Sequence, residues 1–192
     1  MLTITNVKLR ILAIAVMLTP LGFALPIEAS QVLPSNTHSP LVLSQSDWQT
    51  YTRTGHFRVE MPGQPEEERS SEDFGGETLT IEEIQFEDEG GIYGVFYMEL
   101  PTEYLQQASD KQILDEMSDS FLEGMEMPDL KSQEQLIDLN GYPGREYRVT
   151  EIEGEGLLVL RLYLAENKIY FLVSASSVAD LVERFMNSFE LL

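Results

Sequence analysis

The sequence predicts an α+β fold, an antiparallel β-sheet flanked by two helices, and three observations carry that expectation. Apolar runs between residues 57 and 176 are extended in pattern, and the later ones are joined by links too short for crossovers. Two stretches, one around residues 108–125 and one at the C-terminus, switch to helical spacing. The chain has no cysteine, so no disulfide framework staples it and buried apolar faces must supply the stability.

The elements follow in order. Lys8 and Arg10 precede an uncharged run from Ile11 to Ile27, and the small residues Ala29 and Ser30 come next. That is the layout of a secretory signal, so residues 1–29 are read as a signal peptide cleaved after Ala29. Pro20 and Gly22 interrupt the run, which is also short of the roughly 20 apolar residues that span a bilayer. Residues 30–46, SQVLPSNTHSPLVLSQS, hold two prolines, five serines and no Asp, Glu, Lys or Arg, and are expected to form a flexible tether. A single α+β domain then covers residues 47–192.

In GHFRVEMPG, Phe57, Val59 and Met61 alternate with His56, Arg58 and Glu60, as in a half-buried strand ended by Pro62-Gly63. PEEERSSED, residues 65–73, reads as a solvated edge or loop. ETLTIEEIQF (77–86) and IYGVFYMEL (92–100) flank EDEGG at 87–91 and should form a hairpin. Leu79 and Ile81 share a parity that Ile84 and Phe86 do not, so a bulge is expected near Glu82 and Glu83.

In ASDKQILDEMSDSFLEGM, residues Ile113, Leu114, Met117, Phe121, Leu122 and Met125 recur at helical spacing, Ser109 and Gln112 can form a capping box, and Met127-Pro128 ends the helix. Four strands follow at 133–139, 145–153, 157–164 and 168–176. GEG (154–156) and AENK (165–168) are tight-turn lengths, which makes the four an antiparallel meander. Val178, Leu181, Val182, Phe185, Met186 and Phe189 then mark a last helix, with Ser177 and Asp180 placed to cap it.

LNGYPGREYRV, residues 139–149, interrupts the meander. Asn140-Gly141 suits positive φ, and Tyr142-Pro143-Gly144-Arg145 suits a type II turn. Tyr142 and Arg145 are candidate binding residues, because an aromatic beside a guanidinium is frequent in contact surfaces.

Charge and inventory bound the chemistry. Removing residues 1–29 takes away Lys8, Arg10 and Glu28 and moves the formal charge from −21 to −22. So acidic a chain repels nucleic acid and anionic membrane surfaces; a basic protein face or cations fit better, and the acidity also serves solubility alone. Of the two histidines, His38 lies in the tether and His56 on the outward side of a predicted strand, and no G-x-S-x-G elbow, G-x-x-x-x-G-K-[ST] loop or G-x-G-x-x-G loop occurs. Glu87, Asp88 and Glu89 before Gly90-Gly91 are candidate oxygen ligands for calcium or manganese, although the spacing is not that of a recognised calcium loop. No cofactor is expected.

GHFRVEMPG, LNGYPGREYRV, RLYLAENKIYFL and FMNSFEL together resemble small exported bacterial proteins of unassigned function with a PsbP-like fold. The resemblance covers residues 48–192. It implies an α/β/α sandwich and, because well-known members are extrinsic subunits or assembly factors of the oxygen-evolving photosystem, a non-catalytic role with protein partners. The first expectation is therefore an exported binding or accessory/assembly protein of a larger envelope or thylakoid complex, located in the periplasm, the thylakoid lumen or outside the cell and not inserted in the membrane once the signal is removed. The alternatives are an acidic domain that binds a divalent cation and a hydrolase with an unfamiliar site. The hydrolase requires a deep polar pocket around a shifted carboxylate.

Overall fold

The structure, a computed structural model, describes residues 48–74, 77–152 and 156–192. The expected signal (1–29), the tether (30–46) and the turn centred on 153–155 lie outside the described residues. Among the described residues, ten strands and four helical segments follow in the order β1 (Gln49–Arg53), β2 (Phe57–Met61), β3 (Glu66–Phe74), β4 (Glu77–Asp88), β5 (Gly91–Glu99), α1 (Thr102–Gln107), α2 (Asp110–Gly124), a 3-10 helix (Pro128–Gln133), β6 (Gln135–Leu139), β7 (Tyr142–Ile152), β8 (Gly156–Ala165), β9 (Lys168–Ser176), α3 (Ala179–Ser188) and β10 (Glu190–Leu191).

The class is mixed, with few helices and antiparallel sheets. The expected single sheet becomes two: a seven-stranded sheet in the order β3-β4-β5-β9-β8-β7-β6 and a three-stranded one in the order β1-β2-β10. The short α1, the 3-10 helix and β10 are further departures. β10 exists because the last helix stops at Ser188, letting Glu190 and Leu191 pair with Arg58 and Phe57.

Both faces of the large sheet are buried along its central strands β5, β9 and β8, and this explains their composition. One cluster gathers Leu158, Leu160 and Leu162 of β8 with Ile113, Leu114, Phe121 and Leu122 of α2. The other gathers Val159 and Tyr163 of β8 with Phe57 and Val59 of β2 and Val182 and Phe185 of α3. A strand apolar at nearly every position is what a doubly covered sheet needs. Each large side chain fully buried in these clusters contributes roughly 1.5–3 kcal/mol.

The same fact removes the expected bulge at Glu82 and Glu83. β4 pairs with β5 without interruption from Ile81↔Met98 to Asp88↔Gly91. Leu79 and Ile81 belong to the first cluster and Ile84 to the second, so the change of apolar parity is a change of face and not a slip in register. Residues 65–73, read as an edge or loop, supply β3, which is the edge strand of the large sheet.

The capping box forms: Ser109 Oγ accepts from the Gln112 amide, and the Gln112 side chain accepts from the Ser109 amide at 3.0 Å. At α3 the expected capping by Ser177 and Asp180 is absent. Ser176 Oγ instead accepts from the Val178 amide at 3.0 Å and donates to Gly90 O at 2.6 Å, tying the helix entrance to the β4–β5 turn.

Asn140 and Gly141 have φ of 56° and 94° and link β6 to β7 in two residues, the primed geometry that suits strand twist. Tyr142-Pro143-Gly144-Arg145 is consequently no turn. It is the start of β7, with Leu139↔Tyr142 and Asp138↔Pro143 already in register. Gly144 meets a packing demand, since a Cβ there would lie 2.6 Å from the Tyr163 ring and 2.5 Å from Leu162 O.

Candidate functional site

One row of residues crosses the large sheet. Register places Arg69 opposite Glu82, Glu82 opposite Tyr97, Tyr97 opposite Tyr170, Tyr170 opposite Tyr163 and Tyr163 opposite Gly144. The aromatic part is packed: the Tyr97 and Tyr170 rings stack at 5.7 Å, and Phe189 stacks on Tyr163 at 6.1 Å. The charged end of the row opens into a polar cleft of about 590 Å³, walled by Thr78 and Thr80 of β4, Glu99 of β5, Asn167 and His56.

The link between β1 and β2 completes the cleft. Gly55, with φ of 77°, turns the chain, and His56 lands on the Tyr97 ring with centroids 4.8 Å apart. This corrects the expectation of an outward strand histidine. The His56 Nδ1 is buried without a hydrogen-bond partner among the described residues. Burial, and then the Lys168 charge, push the imidazole below its ordinary range, leaving it neutral at pH 7.

Glu82 is the hub. Arg53 and Arg69 both ion-pair with it, and Tyr97 donates its hydroxyl to Oε2 at 2.6 Å while accepting from Arg53 Nε at 3.2 Å. Burial works to raise the Glu82 carboxyl, but the bonds from Tyr97, Arg69 and Arg53 outweigh it and hold it down at about 2. A carboxylate so held stays ionised at neutral pH; it is no proton donor there and a feeble base. The polar pocket named as the condition for a hydrolase is present, yet its central carboxylate is shifted away from acid–base use. Next to it Glu83 points to the opposite face, where burial and then Glu68 raise its carboxyl to about 7.

The two binding candidates at the β6–β7 turn do not come together. Tyr142 is half-buried and packs on the second cluster. Arg145, three residues on, faces the other side and is only 5% exposed. Its Nη2 donates to Asp115 Oδ1 at 3.0 Å, and its Nε lies 3.0 Å from Glu134 Oε2, so it clamps β7 to α2 and the 3-10 helix. At the β4–β5 tip Glu87 and Glu89 are exposed, while Asp88 Oδ1 accepts from the amides of Gly90 at 2.8 Å and Gly91 at 3.1 Å. That bonding is the chemistry of a turn. No group of three or more His, Cys, Asp or Glu able to hold a metal ion occurs among the described residues.

Sequence reasoning did not find Arg69, Glu82 and Tyr97 as a set. The signal was there in the two-residue links: Asp88↔Gly91 fixes Glu82 opposite Tyr97, and Phe74↔Glu77 fixes Arg69 opposite Glu82.

With fold and cleft described, comparison with known proteins adds little. No protein-family profile matches the chain, and no curated protein matches its sequence. Among solved structures, the chain is similar to the solution structure of cyanobacterial PsbP (CyanoP) from Synechocystis sp. PCC 6803, with a TM-score of 0.44 and 11% identity, over 81% of this chain and 98% of that one. No helix among the described residues is long and apolar enough to cross a membrane.

Proposed function

We propose that the protein is an exported, non-catalytic accessory protein that binds a protein of a larger envelope or thylakoid complex and uses the His56–Glu82–Asn167 cleft as its contact. The observation that carries this reading is the mutual satisfaction of the cleft's charges. Glu82 is engaged by Arg53, Arg69 and Tyr97, and Lys168 lies 3.7 Å from Glu99, so a preformed polar concavity stands in which Glu82 is no acid or base and the imidazole of His56 is hydrogen-bonded to no nucleophile among the described residues. The signal-like residues 1–29 and the tether 30–46 belong to the same reading: one exports the domain and the other gives it reach.

Photo-crosslinking in the native organism tests it. A photoreactive side chain at Thr102, on the rim of the cleft, should capture one reproducible partner from the membrane fraction, and the same group at Lys111 on α2 should not. Equal and scattered products from both positions would defeat the reading.

A further inference from the structure

We propose that the cleft takes an extended, uncharged segment of the partner protein, which adds to the free edge of β4 at Glu77–Leu79 through main-chain hydrogen bonds. This rests on the binding reading above and names what the cleft binds.

The edge is free because β4 outruns its neighbour. Its pairing with β5 begins at Ile81↔Met98, whereas its pairing with β3 continues to Phe74↔Glu77. Beyond Met98 the other chain keeps its bonds to the β9 side: the Leu100 amide donates to Asn167 O at 2.8 Å, the rung after Glu99↔Lys168, and Pro101, which follows, has no amide to give. Glu77–Leu79 therefore has a paired strand on one side only among the described residues, and the cleft, with Leu100 and Pro101 in its wall, lies on the other.

Orientation of the backbone agrees. The two-residue link at 89–90 makes Asp88 and Gly91 a hydrogen-bonded pair, so even-numbered positions of β4 turn their amide and carbonyl towards the β5 side. Thr78 is such a position, and opposite it the cleft opens where Pro101 offers no amide. An exposed strand edge is a template for another strand unless charge defends it. β3 is defended by three consecutive carboxylates, Glu66, Glu67 and Glu68, while the β4 edge carries Glu77 alone beside the hydroxyls of Thr78 and Thr80.

Other ligands fit the cleft less well. An anion finds the cleft's cations already paired, Arg53 and Arg69 with Glu82 and Lys168 with Glu99, and a metal cation finds no cluster of three ligands among the described residues. A sugar ring finds no stacking face, because Tyr97 is 3% exposed and covered by His56. A neutral polypeptide backbone supplies the donors and acceptors that Thr78 lacks. On it, alternate side chains would meet the polar wall of His56, Glu82 and Asn167 and the apolar floor of Leu79 and Met98.

A random dodecapeptide library displayed on phage, panned against the whole chain, tests the proposal. Enriched peptides should be uncharged, alternate polar with small apolar residues, slow hydrogen exchange at the Thr78 amide, and bind at least tenfold more weakly once alternate peptide amides are N-methylated. Thr80→Trp, which fills the cleft, should abolish binding at an unchanged melting temperature. If that variant does not fold, exchange at Thr78 in the wild-type chain decides alone. Failure to enrich any peptide, unaltered binding after N-methylation, or peptides that leave Thr78 unprotected would overturn strand addition. Capture of a partner through Thr102 alongside any of those failures would retire strand addition and leave the binding function standing.

Discussion

Gly144 and Tyr163 face one another across β7 and β8 so closely that a Cβ on the glycine would sit 2.6 Å from the tyrosine ring, and Leu162 O would block it at 2.5 Å. Gly144→Ala should therefore cost about 1–3 kcal/mol, the range for overpacking a filled core. Gly141→Ala meets nothing within 4 Å but holds φ at 94°, and its cost should come from backbone strain alone, about 1–2 kcal/mol. Urea denaturation of both variants checks this; a Gly144→Ala protein as stable as wild type would show that β8 yields freely.

Glu82 gives the molecule an acid limit. Its carboxyl sits at about 2 in the folded chain against an ordinary 4.5, so the stability it contributes is complete above pH 4.5 and is lost as pH falls towards 2. Glu82→Gln leaves two guanidinium groups without their shared carboxylate and should cost about 1.5–3 kcal/mol at neutral pH. The variant should also show a flatter decline between pH 4.5 and 2. Melting temperatures across that interval provide the measurement, and parallel curves for the two proteins would contradict it.

Glu83 acts in the opposite sense. Its folded carboxyl is raised to about 7 from 4.5 by burial and by Glu68, so its contribution is full below pH 4.5 and disappears as pH rises towards 7. Glu83→Gln should melt higher than wild type at pH 8 and no higher at pH 4.5. A rise of equal size at both values would indicate a packing effect without titration.

Arg145 and Tyr142 should separate in mutagenesis. Arg145→Ala removes the buried guanidinium that joins Asp115 and Glu134, which keep Lys111 and Lys131 as partners, and should cost about 1.5–3 kcal/mol. Tyr142→Ala removes a half-buried ring at the strand start and should cost less. Denaturation compares them; an Arg145→Ala chain of normal stability would return that side chain to the list of contact residues.

Calcium or manganese at millimolar concentration should leave the melting temperature unchanged, because Asp88 Oδ1 is already bonded to the Gly90 and Gly91 amides. Asp88→Ala should cost about 1 kcal/mol with or without the ions. Calorimetric titration settles it: stoichiometric heat that vanishes in Asp88→Ala would make the hairpin tip a cation site.

The strands and helices were legible in the sequence wherever a single face was buried or a cap was local. Phe57, Val59 and Met61 announce β2 by strict alternation, and Ser109 with Gln112 announces α2 by a bond between neighbours in sequence. Legibility failed where meaning depends on what lies above and below. The parity change between Ile81 and Ile84 looks like a bulge until both faces of the sheet are known to be covered. YPGR has turn composition, yet its glycine answers to Tyr163, nineteen residues away along the chain. The cleft was partly readable, since two-residue links set Arg69, Glu82 and Tyr97 in line. Arg53 and His56 were not, because they arrive from a separate sheet through packing that no local spacing encodes.

The line of rings from Tyr97 through Tyr170 to Tyr163 runs from the cleft across β5, β9 and β8. A cleft braced from behind in this way cannot widen to suit a visitor without shifting strands that never touch it. Whatever docks must conform to the protein, so association should proceed with little remodelling of the host, and the mouth could be retuned by resizing side chains three strands distant.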